Sequence, residues 1–387
     1  MSHLDQRLAV AVIALVVLAA PVPARTQPRP AAPAMVEWLA PAAATAQPQN
    51  EAQKKAGMQH GRVLPTPEVL QPQLDPALPA YVPRAGRTLS GSFRAAASDV
   101  LPALAHAWIE AFRKYYPRVS IRLSPPYAGS LGAQELIAGK LDVVFVSREL
   151  RPEDIAGFEA KFSYPPLSVP IAGGSYRHYG FLDAVGFFVN KDNPLEKIGF
   201  EQLDEILSRT HYRSRTAITT WGELGLTGDW ADKPIHVYAV RPWNGFEEFV
   251  RERVLSRKGQ RGEWREDLHF DDVVFPLAKR VAQDRYGLGY SGLAFIDAPV
   301  KMLPLAVDSA GSYVPPSYES VALATYPLSR LIYLNLRKRP GVPLNPAIEE
   351  LLRFILSRDG QQLVRNEAIF LPLRASQARA SRALLEP

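Results

Sequence analysis

Signals for strands and helices alternate from Leu89 to near the carboxyl end, and this texture predicts an α/β protein with a mostly parallel sheet. Three observations carry the expectation: short apolar runs of strand length, apolar stripes at helical spacing between them, and Ser- or Gly-containing junctions where strand passes into helix. With 387 residues, 47% of them hydrophobic, the chain can build one large or two ordinary cores.

Taken in order, Leu101, Leu104, Ala105, Trp108 and Phe112 share one helix face, and Pro117 stops that helix near Tyr116. Residues 119–123 read as a short strand, 133–138 as a helix and 141–146 as an apolar strand ending at Ser147. Residues 169–172 open a second block, with strands at 184–190 and 236–240 and a helix near 201–208 between them. A further helix follows Asn244, with Phe246, Phe249 and Val250 on one face. Residues 278–284 look helical, 293–296 extended and 331–336 like a strand, and Ile348, Leu351, Leu352 and Ile355 form a helical stripe. No internal repeat is present.

Before this body, Arg7 precedes an apolar run at residues 8–20 and then the small-residue site Val22-Pro23-Ala24, so residues 1–24 read as a signal peptide. The run is short of the about 20 residues that span a bilayer. Asp5 is atypical of such a leader, and an uncleaved anchor is the competing reading. Residues 25–87 are rich in Pro, Ala and Gln without sustained period and read as a disordered linker, although residues 64–83 could lay a few apolar side chains on the folded body. The folded domain is expected at 88–375 and a tail at 376–387.

Composition excludes several classes. The chain has no Cys, which rules out disulfides, thiolate metal sites and a Cys-anchored lipoprotein. Its net charge of +6 suits an anionic ligand, but basic residues are interspersed with acidic ones, without the clustered stripe of a nucleic-acid binder. None of the seven histidines stands at metal-ligand spacing from another, and no phosphate loop, HExxH or GxSxG element appears, so neither a cofactor nor catalysis is expected. Gly287-Leu288-Gly289-Tyr290-Ser291-Gly292 fits GxGxxG, but a helix precedes it and an extended segment follows, the reverse of a dinucleotide site, so a glycine-rich buried strand is the reading.

The candidate binding positions are strand ends that lead into helix starts, where backbone N–H groups with neighbouring Ser or Arg side chains hold oxyanions. Three junctions stand out: Ser98-Asp99-Val100, Ala128-Gly129-Ser130-Leu131-Gly132, and the segment from Arg241 through Asn244 to Gly245. Ser147 and Arg148 end a further strand, and open α/β sheets bind ligands outside the carboxyl ends of their strands.

The order of these segments resembles the phosphate-binding, PstS-like solute-binding proteins of ABC transporters, from about Leu89 to Leu373. Tyr286-Gly287-Leu288-Gly289-Tyr290-Ser291-Gly292, Tyr326-Pro327-Leu328-Ser329-Arg330 and Phe354-Ile355-Leu356-Ser357-Arg358-Asp359-Gly360-Gln361 are similar to the family's sequence in order and spacing, as are residues 108–117, 142–150 and 189–194. The resemblance implies a two-lobed type II periplasmic binding protein fold, with a central ligand cleft and two interlobe crossovers. On that expectation lobe one takes about 88–180 and 305–375, lobe two about 181–304, and residues 169–185 and 301–307 are candidate hinges.

It also implies the ligand positions Ser98, Asp99, Val100, Ser130, Gly132, Ser147, Arg148, Arg241, Asn244 and Gly245. The first loop keeps its serine and has Val100 in place of a threonine; the second keeps one hydroxyl, Ser130; the fourth keeps Arg241 and Gly245, with Asn244 and Phe246 substituted. A charge-assisted hydrogen bond contributes about 1.5 to 3 kcal/mol, so Arg148 and Arg241 can offset two absent hydroxyls, and Asp99 can accept a proton from the ligand. The expected function is an exported, non-enzymatic monomer in the periplasm that captures phosphate or a related oxyanion for ABC transporter membrane subunits. The alternative is a module of the same fold that has lost phosphate and binds another small ligand or a protein partner, favoured by the apolar Val100, Leu131 and Phe246.

Overall fold

The computed structural model describes residues 72–84, 88–98, 100–124, 131–177, 182–214, 216–242, 245–367 and 369–386. In chain order the elements are β1 (Gly91–Ala97), α1 (Pro102–Tyr115), β2 (Val119–Leu123), α2 (Leu131–Ala138), β3 (Val143–Val146), α3 (Pro152–Phe162), β4 (Leu167–Gly173), β5 (Val185–Asn190), β6 (Ile198–Gly199), α4 (Phe200–Leu207) and β7 (His236–Val240). They continue with α5 (Gly245–Val250), which runs on through a π-helical turn at Arg251–Leu255, then β8 (His269–Asp271), α6 (Leu277–Gln283), β9 (Gly287–Gly292), β10 (Val300–Met302), β11 (Leu305–Ala306), α7 (Tyr318–Ala322), β12 (Leu331–Leu336), α8 (Pro346–Ile355), α9 (Arg358–Glu367) and α10 (Ala375–Ala383). No helix among the described residues is long and apolar enough to cross a membrane.

These elements form two five-stranded sheets, each with its own core, and a two-stranded sheet of β6 and β11. The first has the order β2-β1-β3-β12-β4 and the second β10-β5-β9-β7-β8. Both are mixed rather than mostly parallel: β1 runs parallel to β2 and β3, whereas β12 is antiparallel to β3 and β4. In the second sheet β5 is antiparallel to β9 and β10, and β7 is parallel to β8 and β9. The mixing arises because the chain enters each sheet from the other lobe through a crossover, and an entering strand is free to point either way.

The first core packs Trp108 and Phe112 of α1 against Phe145 of β3 and Phe354 of α8, with the Trp108 and Phe145 rings stacked 5.9 Å apart. The Trp108 indole finds an acceptor in the Gly360 carbonyl at 2.9 Å, which satisfies a buried donor. The second core gathers Phe187, Phe188, Tyr290, Trp221 and Trp264, with Tyr290 and Trp264 stacked at 5.7 Å. The glycine-rich segment is the wholly buried strand β9, and its small residues let Val281 of α6 and Phe188 of β5 close over Gly289. Residues 293–295 form a short helical turn rather than an extended segment, with Leu293 N–H donating to Ala184 O at 2.9 Å.

Lobe boundaries differ from the expected ones. Residues 305–328 belong with the second core, because β11 pairs with β6 and because Tyr318, Val321, Tyr326 and Leu328 bury their side chains there. The second crossover therefore lies at residues 328–330, and the 301–307 region, with edge strand β10, is not a hinge. The two crossovers run side by side: Val185 N–H donates to Leu328 O at 3.2 Å and Gly174 N–H to Arg330 O at 2.8 Å. Gly174 is required there, since a Cβ would stand 2.5 Å from Leu182 O.

The ends of the body are also more structured than composition suggests. Leu78 is fully buried in the first core, and Arg358 grips this segment through the Leu78 and Pro79 carbonyls at 2.9 and 2.8 Å. The Tyr81 and Tyr116 hydroxyls both donate to buried Glu350, at 2.6 and 3.2 Å, and Arg84 pairs with the same carboxylate at 3.0 Å. Residues 376–383, read as tail, are in helix α10, which buries Ala378 and ties Ser381 Oγ to Pro170 O at 2.7 Å.

Candidate functional site

Strand order decides which residues meet at the cleft. Adjacent strands β1, β3 and β12 bring Ser98, Ser147 with Arg148, and Arg330 to one edge of the first sheet, since β12 is antiparallel to β3 and pairs Tyr333 with Val146. Ser98 N–H donates to Phe145 O and Ser98 O accepts from Leu101 N–H, both at 2.9 Å, which fixes the turn before α1. Ser98 is 3% exposed and its Oγ has no hydrogen-bond partner. A buried hydroxyl without a partner is a costly group unless a ligand completes it.

Other sequence candidates are placed differently. Val100 packs against the first core rather than facing the cleft. Gly132 is buried where a Cβ would stand 2.7 Å from Val144 Cγ2, so its role is to let α2 lie close on β3 and only its backbone is free for a ligand. Ser147 is half-buried at the end of β3. Arg148 spends its guanidinium within its own lobe, on Asp154 at 3.0 Å and on Glu149 O at 2.7 Å. Asp99, Ser130 and Asn244 lie outside the described residues.

From the second lobe, β7 leads through Arg241 toward Gly245, the first residue of α5. Arg241 is exposed over 62% of its side chain and pairs with Asp272 at 2.8 Å. Gly245 is exposed, with open space where a Cβ would be. The first turn of α5 carries Glu247 and Glu248, a placement that the helix dipole favours. Glu247 is fully buried and accepts from Trp264 Nε1 at 2.6 Å and Arg251 Nε at 2.6 Å. Glu248 accepts from both terminal nitrogens of Arg261 at 2.9 and 3.1 Å. Both carboxylates are thus compensated by arginines and do not confront an incoming anion with bare negative charge.

Ion pairs join the lobes beside this site. Arg151, at the start of α3 in the first lobe, stands 3.1 Å from Glu248 in the second. Arg253 pairs with Glu149, which also accepts from the Tyr333 hydroxyl at 2.8 Å, and Arg261 lies 3.9 Å from Glu153. Burial, and then the Glu149 charge, push the Tyr333 hydroxyl well above its usual range, so it donates throughout the physiological range. None of these charges was singled out in sequence, because each is an ordinary surface-type residue until the fold places its partner.

The chain matches the PBP superfamily domain over residues 82–359. It is 34% identical over 307 residues to the phosphate-binding protein PstS of Pseudomonas aeruginosa, covering 79% of this chain and 90% of that protein. The chain belongs to the PstS family of the PBP superfamily. Protein SphX of Synechococcus elongatus is 26% identical over 324 residues, 83% of this chain and 87% of its own. Among solved structures, PstS from Borrelia burgdorferi superposes with a TM-score of 0.51 at 16% identity, over 74% of this chain and all of that one, and it shares the two-lobed fold. Ser98, Ser147 and Arg330 share one edge of the first sheet, and Arg241 and Gly245 lie where β7 passes into α5.

Proposed function

We propose that this chain is an exported receptor that captures phosphate or a closely related oxyanion between its lobes and presents it to the membrane subunits of an ABC-type importer. The observation that carries the reading is the 34% identity, over 79% of this chain and 90% of the relative, to a protein named for phosphate binding. It is supported by a sheet edge that carries an unpartnered buried hydroxyl, Ser98 Oγ, together with Arg148 and Arg330 at the ends of neighbouring strands, the donor set that suits an oxyanion. Ser98, Ser147, Arg241 and the Gly245 backbone are the proposed contacts, with Asp99, Ser130 and Asn244 completing the loops. Arg148 contributes field rather than a direct fork, since Asp154 and Glu149 O occupy it.

The mechanism is binding without chemistry. The anion enters, helix starts and guanidinium groups hold it, and the paired crossovers act as the hinge on which the lobes close. The receptor acts as a monomer in the periplasm. Isothermal titration against phosphate, sulfate, arsenate and molybdate tests this: micromolar or tighter binding of phosphate or arsenate is expected, and silence across the panel refutes it.

A further inference from the structure

Arg330 is a mostly buried arginine on the second crossover, one residue before β12. Its guanidinium lies against two rings of the other lobe, 4.7 Å from the Phe249 centroid and 6.0 Å from that of Phe246. It makes no hydrogen bond or ion pair, and its Nε is buried without an acceptor. The carboxylates nearest in its field are engaged elsewhere. Asp183 accepts from the backbone N–H groups of Arg177, at 2.7 Å, and Ala294. Glu149 accepts from Arg253 and from Tyr333.

By contrast, buried Arg251 is held by Glu247, and Arg213 by the Val254 and Arg253 carbonyls. Burial pulls Arg330 down to about 10, so it remains a cation at neutral pH. Aromatic faces attract such a cation but accept none of its in-plane hydrogen bonds. A guanidinium set against apolar rings, with its Nε buried and without an acceptor, is a costly feature, and Arg148 and Arg253 nearby raise that cost. Two strands away on the same edge, Ser98 Oγ is likewise buried and unpartnered.

We infer that Arg330 is the principal cationic contact of the anion held in this cleft, with the Ser98 hydroxyl as a donor beside it. Arg241, which sequence reasoning put in that role, is solvent-exposed and already paired with Asp272. Because Arg330 sits on a crossover and is stacked on α5, an anion on its fork is tied to the hinge and to both lobes at once. The assignment rests on the receptor reading above and names the residue that carries it.

The test is titration of inorganic phosphate into the purified full chain and its variants. Arg330→Met keeps an unbranched apolar stem between the rings and removes the charge. It is expected to weaken phosphate binding at least thirtyfold, about 2 kcal/mol at about 1.4 kcal/mol per tenfold, with a phosphate-free melting temperature unchanged or raised. Arg330→Lys, which keeps the charge without the fork, recovers part of the affinity. Wild-type binding with an Arg330→Met constant within about threefold overturns the assignment alone. A lost affinity that accompanies a lowered phosphate-free melting temperature, and that Arg330→Lys does not restore, makes the residue a packing element and also overturns it. Absence of phosphate binding by the wild-type protein refutes the receptor reading and this assignment together.

Discussion

Glu248→Gln probes the charges that span the cleft. The wild-type carboxylate is buried, takes two charge-assisted bonds from Arg261 within its own lobe, and stands 3.1 Å from Arg151 Nε of the other lobe. A neutral amide of the same shape keeps one acceptor for Arg261 and turns the other into a donor that faces a donor, so one charge-assisted bond becomes ordinary and the other is lost, about 1 kcal/mol or more apiece. The Arg151 attraction adds about 1 kcal/mol, and the 24% and 29% exposure of the two arginines calls for a discount. The net expectation is about 2 kcal/mol less stability in urea, of which about 1 kcal/mol acts between lobes and shifts the closed-to-open ratio about fivefold.

Small-angle scattering, or a distance between spin labels on the two lobes, reads the second part. Arg151→Met should reproduce the lobe opening with little further loss of stability. A change below about 0.5 kcal/mol in urea, with no change in lobe separation for either variant, refutes the role given to the Arg151–Glu248 pair. The pH dependence has a definite sign. Burial alone pushes the Glu248 carboxyl up, but the Arg261 hydrogen bonds and the Arg151, Arg261 and Arg251 charges outweigh it and hold the group below the ordinary 4.5. A carboxyl depressed in the folded state contributes stability above its unfolded value and loses it as pH falls through the folded one. The network should hold at neutral pH and give way only below 4.5.

Arg241→Ala is expected to weaken phosphate about tenfold, less than the loss at Arg330, because Asp272 already competes for its fork; a calorimetric constant equal to wild type removes Arg241 from the site. Leu78→Ala should cost about 3 kcal/mol in urea unfolding, since the side chain is fully buried under α9, and a loss below about 1 kcal/mol would show this segment to be loosely attached. Gly132→Ala forces a Cβ to 2.7 Å from Val144 Cγ2 and should cost about 1–3 kcal/mol in thermal unfolding, whereas an unchanged melting curve would mean that α2 can shift.

The strands and helices were legible because their burial is local in pattern. The stripe from Leu104 to Phe112, the apolar run of β3 and the wholly buried β9 each carry the period of their own element. The helix at residues 375–383 was missed because its faces are mostly polar, and only Ala378 and Ser381 are buried. The lobe boundary at 305 was misplaced because β11 is two residues long and is a strand only by virtue of β6.

Sequence alone determined that the chain is α/β, that it resembles a phosphate-binding family, and that Ser98, Ser147 and Arg241 lie at strand ends, because these depend on local periodicity and on segment order. Tertiary structure decided which of the many arginines are spent and which are not. Arg148, Arg241, Arg251 and Arg261 all have carboxylates, and Arg330 has two aromatic rings and no acceptor. A guanidinium's worth to an anion depends on what already holds it. Its partners come from strands and helices far away in sequence, so only the folded chain shows that Arg330, at the edge of the first sheet, is left without an acceptor.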